Sequence, residues 1–193
     1  FLTLCVVVFG AYVRLTDAGL GCPDWPGCFG TLSVPESVEA IAQANNMYPD
    51  SIVEVGKAWR EMIHRYLAGV LGLLIAALSF LAIKNRHHIK VSLSLPLSLV
   101  GLVIFQAALG MWTVTELLKP VIVSFHLIGG MTILGLLTYI THRHFGTTGL
   151  IVDKKLFLIA RFAILLLFIQ ILLAGGFVLI GTEQNELNKK YKL

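Results

Sequence analysis

The sequence predicts an all-α integral membrane protein, built as a transmembrane four-helix bundle followed by a fifth helix. Hydrophobic residues make up 56% of the 193 residues and charged residues only 13%, whereas an ordinary soluble domain is about 45–50% apolar. The mean hydropathy is +0.82, and most charged residues lie between long apolar runs. These observations together place the chain in a lipid bilayer.

Four apolar segments reach the length of about 20 residues that a membrane-spanning helix needs. They cover residues 58–83, 91–114, 120–141 and 156–180. The apolar run at residues 1–12 is shorter, and it ends near Arg14 without the small residues of a signal-peptide cleavage site. We therefore expect an incomplete first helix, in a chain cut at its N-terminus, and five helices in all.

The charges between the spans predict which helix ends face the cytoplasm. Residues 84–90 and 142–161 are rich in basic residues, whereas residues 16–57 contain six acidic residues and a single lysine. Cytoplasmic loops carry the excess of Lys and Arg, so the long acidic loop is predicted to be extracytoplasmic. The net charge of +4 then reflects topology, because no basic stripe interleaved with aromatic residues indicates nucleic-acid binding.

The acidic loop begins with a segment, LTDAGLGCPDWPGCFG, that has no helical or strand periodicity. Its prolines prevent helix formation and its glycines permit tight turns, so we expect a compact cap over the outer end of the bundle. Cys22 and Cys28 lie on the oxidising side of the membrane, where a disulfide between them is feasible. A purely structural clip and a redox-active pair both fit this spacing.

Ionisable residues inside a bilayer are costly and point to function. Glu61, His64 and Arg65 lie at i, i+3 and i+4 of one span, which places Glu61 beside both of the others. His126 lies in the span at residues 120–141. Each histidine is six residues from the predicted outer end of its helix, or about 9 Å deep at 1.5 Å per residue. The two imidazoles are therefore expected at one level.

Small residues follow each histidine on the same helix face. They are Ala68 and Gly72 after His64, and Gly129 and Gly130 after His126. This pattern predicts a flat strip on each helix, facing the bundle interior. Two imidazoles beside a flat apolar slot fit the axial ligands of a haem better than a zinc site, which needs three or four ligands. Interhelical hydrogen bonds and close helix packing are the alternative explanation.

Three further residues are candidates for contacts to such a macrocycle. Arg14 and Arg65 lie near the outer boundary, where guanidinium groups pair well with haem propionates. Snorkelling to lipid phosphates explains the two arginines equally well. Gln106 lies towards the outer end of its span and is expected to line the same pocket.

The chain divides into four predicted units. Residues 1–145 form a four-helix half whose outer loop is 16–57, residues 146–155 are a cytoplasmic linker, residues 156–181 are the first helix of a second half, and residues 182–193 are an atypical tail. A weak internal repeat relates the helix at 156–180 to the first helix, as in proteins built from duplicated halves.

Four stretches of the sequence, VRLTDAGLGCPDWPGCFG, EMIHRYLAG, FQAALGMWTVT and LKPVIVSFHLIGG, together resemble the haem A synthase family, in the form with a cysteine pair in the first outer loop. The resemblance runs from about residue 10 to residue 135. It implies a multi-pass protein of the bacterial inner membrane, with eight helices in two pseudo-symmetric halves and a histidine pair for haem in each half. It also implies an oxidoreductase that converts the methyl group of haem O to the formyl group of haem A for cytochrome oxidase.

Carried onto this sequence, the resemblance implies that His64 and His126 are the axial ligands and that Glu61 is the functional carboxylate. Cys22 and Cys28 correspond to the cysteine pair of the family. Haem O is the implied substrate in this half, haem b the implied cofactor of the other half, and haem O synthase and an electron-transfer protein the implied partners. No histidine follows His144, so a second pair is absent from this sequence and we expect a fragment that does not turn over alone.

Three other functions are compatible with parts of this pattern. A membrane b-type cytochrome would use the same histidine pair for electron transfer without chemistry on the porphyrin. A quinone-linked thiol oxidoreductase is disfavoured, because such enzymes use a Cys-X-X-Cys pair and five residues separate Cys22 from Cys28. A non-catalytic assembly factor is the third alternative.

Overall fold

The computed structural model describes residues 1–86 and 92–145, together with six single helical residues beyond them. Those six are Leu158, Arg161, Phe162, Leu165, Leu166 and Ile169. The named helices are α1 (Leu2–Leu15), α2 (Val38–Met47), α3 (Val55–Lys84), α4 (Ser94–Thr115) and α5 (Pro120–Phe145). No strand is found in this described part, where one isolated bridge joins Cys28 and Thr31, so the predicted all-α class is confirmed.

Three of the described helices are long and apolar enough to cross a membrane. They are α3, α4 and α5, the last as far as His142. Helix α1 is also apolar but has 14 residues, fewer than the roughly 20 that a complete span requires. The chain is therefore a multi-pass membrane protein, as its composition predicts.

The four apolar helices form a ring in which each helix packs against two neighbours. Helix α1 packs against α3 and α5, and α4 packs against the same two helices. Among the described helices there is no close backbone approach along either diagonal, α1 to α4 or α3 to α5. Helices α3 and α5 therefore face each other across the interior of the bundle. Ile75 of α3, Leu99 of α4 and Ile133 of α5 are buried together in one apolar cluster.

Helix α3 begins three residues earlier than the hydropathy of the sequence predicts, at Val55. Its first turn is polar at the surface, where Lys57 Nζ lies 2.9 Å from Glu54 Oε1, and a hydropathy criterion excludes such a turn. Because the helix starts in this polar region, its first residue does not mark the depth of His64. The common depth of the two histidines stays a prediction.

The loop between α1 and α3 contains one element that the sequence did not predict, helix α2. Ser37 caps it, with Ser37 Oγ accepting a hydrogen bond of 3.1 Å from the backbone N–H of Ala40. A ten-residue helix is marginal by itself, and tertiary packing of Ala44 against Cys22 and Cys28 supports it. The loop packs compactly on α3, as predicted, because this buried cluster includes Ala58 and Met62 of α3. Its position at the outer end of the bundle stays a prediction.

Several predicted units lie outside the described residues. These are the linker at 146–155, the tail at 182–193, and all but six residues of the helix at 156–180.

Candidate functional site

His64 of α3 packs against Gly10 of α1. A Cβ atom at position 10 would lie only 2.8 Å from His64 Cε1, so the ring occupies the space that glycine leaves. His64 Nδ1 is buried and has no hydrogen-bond partner in the described part of the chain. Sequence reasoning missed Gly10, because a glycine inside an apolar helix carries no sign of the neighbour it faces.

His126 of α5 is held by α4. Gln106 Nε2 lies 3.1 Å from His126 Nδ1 and donates a hydrogen bond of 2.6 Å to the backbone carbonyl of the same histidine. A Cβ at Gly110, one turn after Gln106, would lie 3.3 Å from His126 Cε1. Both imidazoles are therefore set against a glycine of an adjacent helix.

The two histidines lie on the diagonal helices α3 and α5. Within residues 1–86 and 92–145, no three His, Cys, Asp or Glu side chains come together as a metal-binding group. Helices α3 and α5 thus each contribute one imidazole of this pair to the bundle.

The glycines after His126 have a different neighbour from the one their pattern predicts. A Cβ at Gly129 would overlap Gln106 Oε1, and one at Gly130 would lie 3.5 Å from Gln106 Nε2. Gly72 similarly faces Val103 of α4. These glycines allow α4 to pack closely on its neighbours. Contact of Gly129 and Gly130 with a macrocycle stays a prediction.

Glu61 is buried in the first turns of α3, with 4% of its surface exposed. Its Oε1 forms an ion pair with Arg65 Nη2, and its Oε2 accepts a hydrogen bond of 3.0 Å from the backbone N–H of Cys22. The predicted contact with Arg65 is confirmed. Among the described residues, no hydrogen bond joins the Glu61 carboxylate to His64, although the two residues lie about one turn apart on the same helix.

Arg65 holds the cysteine loop on α3. Its Nη1 donates to the backbone carbonyls of Asp24, at 2.9 Å, of Pro26, at 3.4 Å, and of Gly27. The guanidinium therefore joins a buried carboxylate to three carbonyls of one turn. Both terminal nitrogens of Arg65 are bonded to protein acceptors. Its role at haem propionates stays a prediction.

Arg14 lies apart from this cluster, at the end of α1. Its Nη1 lies 3.9 Å from Asp17 Oδ1, and more than half of its side chain is exposed. Its predicted role at a propionate also stays a prediction.

A disulfide links Cys22 and Cys28, with an S–S distance of 1.99 Å. Both residues are fully buried against Ala58 and Met62. A Cβ at Gly21 would lie 2.7 Å from the backbone nitrogen of Ala58, so the loop backbone lies directly on α3.

Asp24 organises the turn inside the disulfide ring. Its carboxylate accepts hydrogen bonds from the backbone N–H groups of Phe29, at 2.6 Å, and Gly30, at 2.9 Å. An aspartate beside prolines and glycines is typical of such side-chain-to-backbone turns, a signal that the sequence analysis did not use.

Residues 1–184 match a protein family described as cytochrome oxidase assembly protein, COX15-CtaA. The chain belongs to this family. The match covers the bundle and the cysteine loop of this COX15-CtaA protein, and extends beyond the residues described continuously.

Individual relatives agree with this assignment. The haem A synthase of Shewanella oneidensis is 46% identical over 176 residues, which cover 90% of this chain and 52% of that protein. The haem A synthase of Oceanobacillus iheyensis is 31% identical over 145 residues, 75% of this chain and 42% of that protein. The chain therefore spans about half the length of the curated relatives it matches. No solved structure matches it. The resemblance to the haem A synthase family is confirmed.

Replacing Arg65 with methionine should release the cysteine loop from α3. The change leaves the Glu61 carboxylate buried without its ion-pair partner, which typically costs about 3–5 kcal/mol, and removes the donor for the three loop carbonyls. We expect the Cys22–Cys28 disulfide to be reduced faster by a mild reductant, followed by alkylation and peptide mass spectrometry. Arg60→Met, at a partly exposed position of the same helix, is the control. Equal rates of reduction in the wild type and Arg65→Met would show that Arg65 does not hold the loop.

Replacing Gly10 with alanine should displace the His64 ring, because the new methyl group would lie 2.8 Å from His64 Cε1. Overpacking of this kind costs about 1–3 kcal/mol, so the midpoint of thermal unfolding in detergent should fall. Gly69→Ala is the matched control, since a Cβ at that helical glycine meets nothing within 4 Å. Its midpoint should stay at or above that of the wild type. A similar fall in both variants would contradict a specific contact between Gly10 and His64.

Proposed function

We propose that this chain is the haem O-binding half of a haem A synthase, the enzyme that oxidises the methyl group of haem O to the formyl group of haem A for cytochrome oxidase. The observation that carries the proposal is the pair of imidazoles, His64 and His126, on opposed helices of one bundle. The naming of several relatives as haem A synthases supports it.

The residues of the bundle fit a haem in three respects. Two imidazoles without a third protein ligand are the donor set of a six-coordinate haem iron. Each ring is set against a glycine, so the adjacent helix approaches without a side chain between. His64 Nδ1 is buried without a hydrogen-bond partner among the described residues, which leaves the ring unconstrained by a competing bond. The haem supplies the iron and the methyl group that is oxidised.

The protein groups next to this pair exclude water and accept protons. Converting a methyl group to a formyl group with an oxygen atom from water releases protons and electrons, so a proton acceptor near the site assists the reaction. Glu61 is the buried carboxylate on the helix that carries His64, and its bonds to Arg65 and Cys22 N–H hold it in place. The cysteine loop that Arg65 clamps covers the same end of α3. We assign Glu61 the role of proton acceptor and the loop the role of cover.

The proposal extends to the location and the neighbours of the protein. The acidic cysteine loop faces the outside of a bacterial inner membrane, because the basic connections are cytoplasmic by the charge rule. A second four-helix half, which begins with the helix predicted from the sequence at 156–181, provides the haem b site. Haem O synthase delivers the substrate, and an electron-transfer protein takes up the electrons.

A membrane b-type cytochrome is the second candidate function, because paired histidines in a helical bundle also suit simple electron transfer. It differs in the pigment that the protein carries. Haem O or haem A extracted from the purified protein supports the synthase, whereas haem b alone supports the electron carrier.

The histidine pair makes the first test. His64→Ala and His126→Ala should each remove one axial ligand, converting a low-spin six-coordinate spectrum to a five-coordinate one and lowering the haem-to-protein ratio. Absorbance spectra of the purified chain measure both. His142→Ala, at an exposed position on α5, is the control and should keep the wild-type spectrum. An unchanged low-spin spectrum in either of the first two variants would remove that histidine from the proposal.

Glu61 is tested in a full-length haem A synthase that contains this half. Glu61→Gln should leave haem bound but lower conversion of haem O to haem A by about 10²-fold or more, the usual contribution of a proton-transfer group. Extraction and chromatography of the haems give the ratio. The control is Glu54→Gln, which removes an exposed carboxylate next to the same helix. Normal haem A output from Glu61→Gln would exclude Glu61 from the mechanism.

A further inference from the structure

Gln106 makes two hydrogen bonds to one residue. Its Nε2 lies 3.1 Å from the ring nitrogen Nδ1 of His126 and 2.6 Å from the backbone oxygen of His126. Its Oε1 is buried and has no partner within the described part of the chain. The side chain reaches this position because Gly129 leaves the necessary space, where any Cβ would overlap Oε1.

The edge of the His126 ring that faces α4 contains Nδ1 and Cε1. Gln106 lies against Nδ1, and Gly110, one turn further along α4, lies against Cε1. A ring held through Nδ1 presents its other nitrogen, Nε2, away from Gln106. The geometry of two residues on one helix face therefore selects which nitrogen of His126 is available as a ligand.

We infer that Gln106 is a positioning residue for His126: its amide holds the imidazole through Nδ1 so that Nε2 is presented to the haem iron. This inference rests on the proposed function. It differs from a role in lining the pocket, because Gln106 acts through His126 and not on the haem.

An amide suits this task because it offers both a donor and an acceptor from one side chain. The nitrogen of the amide only donates, so a hydrogen bond from it to Nδ1 requires the haem-free ring to carry its proton on Nε2. When Nε2 gives its lone pair to iron, the proton belongs on Nδ1, which then needs an acceptor. The unpartnered Oε1 of Gln106 provides it when the amide reorients and gives up its hydrogen bond to the backbone oxygen of His126. A partner for Nδ1–H raises the basicity of an iron-bound imidazole.

The inference is tested with two variants of the haem-loaded chain. Gln106→Met fills the same space without hydrogen bonds, and Gln106→Glu supplies an acceptor only. We expect the midpoint potential of the haem to rise in Gln106→Met and to fall in Gln106→Glu, because a more basic ligand favours ferric iron. We also expect haem affinity to fall by about 10–100-fold in Gln106→Met, the usual effect of losing such a partner. Potentiometric titration and haem transfer to an acceptor protein measure the two quantities.

Gln43→Met, at an exposed position of α2, is the control and should match the wild type. If Gln106 only fills space, Gln106→Met should also match the wild type in potential and affinity, and that result overturns the inference.

A second measurement needs no haem and separates the inference from the proposed function. In the haem-free chain labelled with ¹⁵N-histidine, the His126 signals, assigned with a His126→Ala sample, should report a single tautomer with the proton on Nε2. Gln106→Met should give a mixture of tautomers. A mixture already present in the wild type would overturn the inference, whereas a wild-type chain that binds no haem would overturn the proposed function.

Discussion

The ion pair between Glu61 and Arg65 is the interaction on which the end of the bundle that carries the cysteine loop depends. A single charge of either sign in this buried position would be strongly unfavourable, and together the two groups neutralise each other. Each side chain also forms hydrogen bonds to the backbone of the cysteine loop: Glu61 accepts from Cys22 N–H, and Arg65 donates to three carbonyls. Because His64 lies between them in the sequence, the same interaction ties the loop to the helix turn that carries the histidine.

A second constraint comes from the arrangement of the bundle. In a ring of four helices the backbones of diagonally opposite helices do not approach each other. The space between α3 and α5 is therefore occupied by side chains. Glycines set how the walls approach: Gly10 admits the ring of His64, and Gly129 admits Gln106. Small residues therefore set the positions of both histidine rings: Gly10 directly for His64, and Gly129 through Gln106 for His126. This link explains why glycines cluster around the ionisable residues.

Much of the fold follows from hydropathy. The spans at 58–83, 91–114 and 120–141 correspond to α3, α4 and α5 within a few residues, because a membrane imposes long apolar runs that are visible in any sequence. Helix α2 was missed because it is short and depends on Ala44 packing into the loop cluster. The glycines at 129 and 130 were predicted to form a flat strip for a macrocycle, whereas the described neighbour of both is Gln106 of α4, because a glycine pattern does not state which group approaches.

By itself, the sequence determined the membrane class, the number of described spans, the family and the identity of the ionisable residues, since these depend on composition and on local spacing along one helix. The i, i+4 contact of Glu61 with Arg65 is of this local kind. Only the tertiary structure decided that Arg65 binds the loop, that Gln106 holds His126, and that His64 faces Gly10. Such contacts join residues that are 20 or more positions apart, and their partners are chosen by how the helices pack in three dimensions.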